Sequence, residues 1–191
     1  LVPATQLREE IGSDVYRGGL VDEASAGLNP AQYVAGLAGA ARGAGALLHE
    51  STEVRRIERQ GVRWRVSSSR GALDAAAILV ATSGYTGAVT PALRNRILPI
   101  GSYIVVTEPL AEALARELSP RGRMMYDSRH FLHYFRLTSD RRMLFGGRAR
   151  FVPETESTVR ESAAVLRSGL LDVHPQLRGT RLEYAWGGTL D

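Results

Sequence analysis

Apolar residues recur along this chain with two spacings, one typical of helices and one typical of strands. Between Pro30 and Gly43 they follow a helical spacing, and Asn29 followed by proline is a helix start signal. Alternating residues in Thr52–Glu58 and Val62–Ser67 predict two strands, which Gln60-Gly61 joins as a hairpin turn. The first half of the chain therefore combines helix and strand.

Leu73–Ala81 ends in a continuous apolar run, which predicts a strand buried on both faces, as in a parallel sheet. The run leads into Thr82–Gly87, which is rich in small residues. The carboxyl end of such a strand is where α/β folds bind ligands, although a tight turn accounts for this segment equally well.

The second half of the chain predicts an antiparallel sheet with helices. The expected strands are Pro99–Glu108, Met124–Tyr126, Phe131–Leu137, Arg142–Gly147 and Leu182–Trp186, and the expected helices are Leu110–Leu118 and Glu154–Leu171. The longer helix is expected to start near Pro153 or Thr155, and another short helix is expected at Thr5–Ile11. The contrast between the halves predicts a mixed α/β and α+β fold with parts of two domains.

The amino-acid composition excludes several kinds of chemistry within this chain. The chain has 191 residues, 44% of them hydrophobic, which is enough for a packed core. It contains no cysteine, so disulfides and thiolate chemistry are excluded within it, and we expect a cytoplasmic protein. All 24 basic residues are arginine, which excludes a Schiff-base lysine. The longest apolar run, residues 75–81, is too short to span a membrane.

The formal net charge of +4 raises nucleic acid as a partner. The densest basic stretch comprises Arg55, Arg56, Arg59, Arg63, Arg65 and Arg70. Glu53 and Glu58 interrupt it and its apolar residues alternate, so we favour a solvated hairpin face and expect no nucleic-acid partner. The chain also opens at Leu1 without an initiator methionine, and we expect an internal piece of a longer protein.

Few residues form an obvious polar site. A spacing of three would place His130 and His133 on opposite faces of a strand, so no metal site is predicted. Tyr134 and Arg136 share one face of a predicted strand, and Arg148 follows a double glycine. These residues could build a polar site on a sheet, and edge arginines of an ordinary sheet are the alternative.

Several segments, in this order, resemble FAD-dependent oxidoreductases of the D-amino-acid oxidase superfamily, in particular the gamma-glutamylputrescine oxidase-like branch. They are Tyr16-Arg17-Gly18-Gly19-Leu20, Leu28-Asn29-Pro30, Glu53-Val54, Val80-Ala81-Thr82, Pro99-Ile100-Gly101-Ser102-Tyr103, Tyr134-Phe135-Arg136, Leu144-Phe145-Gly146-Gly147 and Tyr184-Ala185-Trp186-Gly187-Gly188. The resemblance covers nearly the whole chain. It depends on the order and spacing of these segments and not on any single motif.

The resemblance implies part of a Rossmann-like FAD-binding domain interleaved with an antiparallel-sheet substrate domain. Residues 1–97 would belong mainly to the FAD-binding domain, 98–180 to the substrate domain, and 181–191 to a segment returning to the FAD side. The family's Gly-x-Gly-x-x-Gly unit is not in this sequence. We therefore expect this piece alone not to retain FAD, because its pyrophosphate anchor would lie elsewhere.

The same resemblance implies roles for particular residues. Val54 would meet the adenine through its backbone, and residues Ala81, Thr82, Ser83 and Gly84 would line the adenosine and pyrophosphate. Gly187 and Gly188 would pass close to the flavin. Tyr134 would lie near the substrate, and Arg148 would face a substrate carboxylate or the flavin.

The implied reaction is hydride transfer from the carbon next to an amine nitrogen to the flavin, which gives an imine. The glycine-oxidase pattern has a carboxylate-binding arginine in its last strand, where this chain has Leu190 and Asp191. That difference favours an amine or N-substituted amine as the small-molecule substrate. The absence of lysine leaves the electron acceptor open. The alternatives are a silent binding domain that uses its arginines for an acidic partner, and a nicotinamide-dependent enzyme, which the missing glycine loop disfavours.

Overall fold

The computed structural model describes residues 1–151 and 154–190, and for Arg148 and Ala149 it describes the backbone only. The chain forms two compact units. One unit comprises residues 1–26 and 99–191, and the other comprises residues 27–98. The expected mixture of helices and antiparallel sheet is confirmed.

The elements have the following bounds. The strands are β1 (Val2–Pro3), β2 (Gly18–Gly19), β3 (Val54–Gln60), β4 (Arg63–Ser68), β5 (Gly71–Ala75), β6 (Ile100–Thr107), β7 (Met125–Tyr126), β8 (Tyr134–Leu137), β9 (Met143–Arg150) and β10 (Leu182–Leu190). The helices are α1 (Pro30–Gly43), α2 (Pro91–Arg94), α3 (Glu112–Leu118) and α4 (Glu156–Val173), and 3₁₀ turns lie at Ala4–Glu9, Ser83–Tyr85 and Pro175–Leu177.

The unit of residues 27–98 consists of α1, α2 and a three-stranded sheet in the order β3-β4-β5. The predicted start of α1 is confirmed, because the Asn29 side chain accepts a hydrogen bond from the backbone amide of Gln32 at 3.1 Å. The predicted hairpin is confirmed as well. Gly61 turns the chain with a φ of 61°, a left-handed conformation that favours glycine.

The predicted buried strand over Leu73–Ala81 is wrong in its second half. Strand β5 ends at Ala75, no regular strand continues through Ile78–Ala81, and the Leu79 side chain is 90% exposed. A strand buried on both faces needs neighbouring strands and covering helices, and the described part of this unit supplies none for this segment. An apolar run alone therefore does not form a strand.

No described residue of the 27–98 unit is fully buried. Helix α1 presents Tyr33, Val34 and Leu37, each more than half exposed, although they lie at the spacing of a core-facing stripe. The apolar stripe of α1 is thus uncovered within the described part of the chain.

The other unit is built on a five-stranded antiparallel sheet in the order β10-β6-β9-β8-β7. Helix α4 begins with a capping box in which the Thr155 side chain accepts from the backbone amide of Thr158, so the predicted start at Thr155 is confirmed. The alternative start at Pro153 lies outside the described residues. Leu166, Leu170 and Val173 of α4 belong to the hydrophobic core of this unit.

Residues 1–26 belong to the unit of the large sheet, whereas the sequence grouped residues 1–97 together. Leu7 and Ile11 belong to its core cluster. The amide of Gly12 donates to the carbonyl of Leu118 at 2.9 Å, and the Ser13 hydroxyl donates to the carbonyl of Val173 at 2.5 Å. These long-range contacts fix the N-terminal segment to the ends of α3 and α4.

Candidate active site

The large sheet has one covered face and one open face. Tyr103, Val105, Phe135 and Phe145 point into the core cluster that α4 covers. Successive residues of a strand point to opposite faces, so Ile104, Val106, Tyr134, Arg136 and Leu144 point away from α4. None of these five residues belongs to that core cluster. We call this second surface the open face.

One row of side chains crosses the open face through all five strands. The strand register pairs Tyr126 with Tyr134, Tyr134 with Gly146, Gly146 with Ile104, and Ile104 with Trp186. The row therefore carries three aromatic side chains and one aliphatic side chain, with a glycine at its centre. Tyr126 and Trp186 are exposed, so much of this apolar surface faces solvent.

The ring of Tyr134 lies directly over Gly146. A Cβ atom at position 146 would come within 2.2 Å of two carbon atoms of that ring. The Tyr134 hydroxyl lies 3.3 Å from the hydroxyl of Ser102 and shares a hydrogen bond with it. Gly146 thus gives the ring its space, and Ser102 fixes the end of the side chain.

A second row runs beside the first. The register pairs Arg136 with Leu144, Leu144 with Val106, and Val106 with Tyr184. Tyr134 and Arg136 share this face, as the sequence predicted. Neither row contains an acidic residue.

Arg142 closes the end of the open face near the β8–β9 turn. Its guanidinium lies 5.4 Å from the ring centre of Tyr184 and forms ion pairs with Glu183 at 2.5 Å and Asp140 at 2.6 Å. The hydrogen bond to Glu183 raises the pKa of Arg142 most, and the hydrogen bond to Asp140 raises it further. The charge of Arg142 is therefore already balanced by its own neighbours.

The predicted flavin-contacting glycines lie on strand β10. Gly188 pairs with Ser102 and shares the open face with it. Gly187 faces the other way, because a Cβ there would lie 2.8 Å from the Tyr103 ring and 3.2 Å from the Glu154 carboxyl carbon. Of the predicted residues, the structure thus brings Tyr134 and Gly188 onto one face. Arg148 lies in strand β9, but its side chain falls outside the described part of the chain.

The remaining predicted cofactor residues lie in the 27–98 unit. Val54 begins β3, an edge strand, so one side of its backbone has no partner strand among the described residues. Ala81 and Thr82 lie in a loop, and Ser83 and Gly84 lie in a 3₁₀ turn. Ala81 ends the uncovered apolar run described above, and Thr82, Ser83 and Gly84 directly follow it.

A buried carboxylate positions the loop that precedes Tyr134. Asp127 accepts hydrogen bonds from the backbone amides of His133 at 2.8 Å and Arg129 at 3.3 Å, and from the Tyr16 hydroxyl at 3.3 Å. Burial and the charge of Asp127 raise the pKa of Tyr16, while burial lowers the pKa of His133 despite that same charge. The sequence missed this cluster, because Tyr16 is 111 residues distant from Asp127.

Five of the six arginines of the basic stretch lie on the β3–β4 hairpin, and Arg70 lies in the turn that follows β4. Arg55, Arg56 and Arg65 form ion pairs with Glu53, Glu58 and Asp74, respectively, and Arg59 lies 5.7 Å from the ring centre of Trp64. This pairing agrees with a solvated hairpin face. Among the described residues, no group of three or more His, Asp or Glu side chains could hold a metal ion, and no helix is long and apolar enough to cross a membrane.

The open face suits a flat and largely apolar ring system such as that of a flavin. Its two rows carry aromatic and aliphatic side chains, one guanidinium, that of Arg136, and no acidic side chain, and Gly188 adds no side chain to the surface of β10. Tyr134 fills the space above Gly146, so the Tyr134 side chain forms the surface of the open face at this point.

Comparison with known proteins identifies the class. The chain belongs to the family of FAD dependent oxidoreductases called DAO, whose model matches residues 1–191. The resemblance that the sequence suggested is confirmed, and with it FAD as the cofactor of the family.

Two relatives are 33% identical to this chain over the aligned 192 and 189 residues, respectively. They are the probable oxidoreductase OrdL of Haemophilus influenzae and the gamma-glutamylputrescine oxidoreductase of Escherichia coli. Each alignment covers 98% of this chain and 43% of the relative. The chain therefore spans about two fifths of the length of these relatives.

Solved structures share the fold. L-proline dehydrogenase from P. horikoshii has a TM-score of 0.75 at 16% identity, over 99% of this chain and 51% of that protein. Glycine oxidase from Geobacillus kaustophilus has a TM-score of 0.62 at 20% identity, over 82% of this chain and 40% of that protein. At these identities the likeness shows the architecture.

Proposed function

We propose that the full-length protein oxidises the C–N bond of an amine or N-substituted amine, and that the open face lines its reaction site. The observation that carries this proposal is the row of Tyr134, Ile104 and Trp186, which presents an uncovered apolar wall in a member of an FAD-dependent family. Isolated soluble domains rarely leave such a wall without a function.

The two units are assigned different tasks in this proposal. The unit with the large sheet contributes the substrate side, and the 27–98 unit contributes to the FAD side. Val54 offers backbone groups of an edge strand to the adenine, and residues Ala81, Thr82, Ser83 and Gly84 line the adenosine and pyrophosphate. Gly187 and Gly188 bring the backbone of β10 close to the flavin. The uncovered stripe of α1 supports further contacts with other segments of the same polypeptide.

When bound, FAD supplies the acceptor for the hydride that leaves the carbon next to the amine nitrogen, and the amine becomes an imine. The residues of this chain orient the substrate and exclude water. Tyr134, held by Ser102, presents its ring to the substrate, while Ile104 and Trp186 form the apolar surroundings. Arg148 is assigned to an anionic group of the substrate or to the flavin. No side chain of the two rows is required as a strong base.

Two observations support the proposed substrate class. One relative is named for gamma-glutamylputrescine, an amine that carries a distant carboxylate. Leu190, in the last strand, has no charge with which to clamp an α-carboxylate, and Asp191 lies outside the described residues. An amine is therefore favoured over a simple α-amino acid as the substrate.

A cytoplasmic location remains part of the proposal, because the chain lacks cysteine.

The test uses the full-length protein, purified and examined by visible absorption spectroscopy. We expect the spectrum of a bound flavin, released as FAD on denaturation. We also expect this absorption to bleach when gamma-glutamylputrescine or a simpler primary amine is added without oxygen. A colourless protein that takes up no FAD, or a flavoprotein that no amine in the panel reduces, contradicts the proposal.

A further inference from the structure

Arg136 differs from the other half-buried arginines of the large-sheet unit in its lack of a bonding partner among the described residues. The others are Arg123, Arg142, Arg150 and Arg167, and each donates at least one hydrogen bond to a carboxylate or a carbonyl. The guanidinium of Arg136 has no hydrogen bond or ion pair within the described part of the chain. The residue is half-buried in the sheet, and the described residues leave the five donors of its guanidinium available to a ligand.

Among the described residues, the neighbours of Arg136 offer it no free counter-charge. It shares the open face with Tyr134, and its neighbour across the sheet is Leu144. Asp140 and Glu183 lie at the same end of the sheet, but both are paired with Arg142. A ligand on the open face is therefore the natural source of an anionic partner for Arg136.

We infer that Arg136 binds a carboxylate of the substrate on the open face, and this inference rests on the proposed function. A guanidinium can grip a carboxylate through two parallel hydrogen bonds, which fixes orientation as well as position. This anchor differs in place from the end of β10, where Leu190 supplies no charge.

The spacing of the two rows defines the substrate further. Residues two apart on a strand are separated by about 7 Å, so Arg136 lies about that far from the row of Tyr134. An amine that reacts against the aromatic row would place its carboxylate several bonds from the carbon being oxidised. The structure thus assigns a class of substrate, an amine with a remote carboxylate.

Equilibrium binding tests this inference without turnover. The full-length protein is titrated in a calorimeter with glutarate and, as the uncharged match, with glutaramide. We expect saturable binding of glutarate, no binding of glutaramide at the same concentrations, and at least ~10-fold weaker binding of glutarate in Arg136→Gln. Arg136→Lys should retain part of the affinity, and Arg178→Gln, at an exposed arginine of the same unit, should retain all of it.

Equal glutarate binding by the native protein and by Arg136→Gln overturns the inference, as does a native protein that binds no glutarate. A competing titration with inorganic phosphate separates carboxylate from phosphate recognition, and tighter binding of phosphate also overturns it. FAD content is measured separately, so a failure of this inference is distinguished from a failure of the proposed function.

Kinetics give a second, independent readout. Gamma-glutamylputrescine is compared with its derivative in which the carboxylate is an amide. Arg136→Gln should lower kcat/KM at least ~10-fold for the carboxylate substrate, chiefly through KM, and change it less than ~2-fold for the amide. A purely structural role would lower both values equally and would contradict the inference.

Discussion

Replacing Phe145 by alanine should lower the free energy of unfolding by about 3–5 kcal/mol, the usual cost of deleting a buried phenyl group. Phe145 is 0% exposed and lies between the sheet and α4. Its ring stacks on Phe135 with centres 5.5 Å apart and lies 4.8 Å from the ring of His133. The alanine variant loses these contacts and leaves a cavity that close-packed neighbours fill only in part.

Chemical denaturation of the full-length protein measures this effect. Phe151→Ala is the matched control, because that phenylalanine is 65% exposed and should cost less than ~1 kcal/mol. Equal losses in the two variants would show that the covered face of the sheet is not the stabilising core of this unit.

The second large effect is a loss of stability at acidic pH that depends on His174. This side chain is 0% exposed, and burial lowers its pKa to about 4 against the opposing effect of the Gly12 carbonyl. The unfolded chain, with a histidine pKa near 6.5, therefore binds more protons than the folded chain between these two values. Stability contributed by neutral His174 is complete above pH 6.5 and is lost as the pH falls to about 4, by about 3 kcal/mol in total.

Unfolding free energies at pH 7 and at pH 4 measure this contribution. His174→Gln keeps a donor for the Gly12 carbonyl but cannot titrate, so it should remove most of the ~3 kcal/mol pH dependence. His49→Gln makes the same change at an exposed histidine and should leave the pH dependence unaltered. Since burial also lowers the pKa of His133, some acid sensitivity should persist in both variants. An unchanged pH profile in His174→Gln would contradict this account of the buried imidazole.

Local signals in the sequence were sufficient for several elements. Asn29 and Pro30 mark the start of α1, because capping and the fixed φ of proline act within one turn. Gln60-Gly61 marks the hairpin because the turn needs a left-handed residue. The start of α4 at Thr155 follows from the same chemistry of unsatisfied amides.

Features that depend on distant partners could not be predicted in this way. Ile78–Ala81 has the composition of a buried strand, but a strand needs neighbours, and composition does not report whether they are present. Leu7 and Ile11 join the core of the large-sheet unit through contacts with segments more than 100 residues away. Nothing in the local pattern of residues 1–26 signals that association.

The candidate site contains both a feature that local sequence signals predicted and features that depend on distant partners. The shared face of Tyr134 and Arg136 follows from the alternation of a strand, so the sequence predicted it. The alignment of Tyr134 with Gly146, Ile104 and Trp186 depends on the register of four strands, which local patterns do not determine. The lack of a partner for the Arg136 guanidinium among the described residues could be recognised only when the partners of the other arginines were known.

The most direct test of the open face as the wall of a reaction site is the rate of flavin reduction by amine in Gly146→Ala. An added Cβ meets the Tyr134 ring at 2.2 Å, so the ring must move. Gly179→Ala, where a Cβ meets no atom within 4 Å, is the control. In single-turnover measurements on the full-length protein, Gly146→Ala should keep its FAD but reduce it at least ~10-fold more slowly, with Gly179→Ala unchanged. Reduction at the native rate in Gly146→Ala would contradict the assignment of the open face to the reaction site.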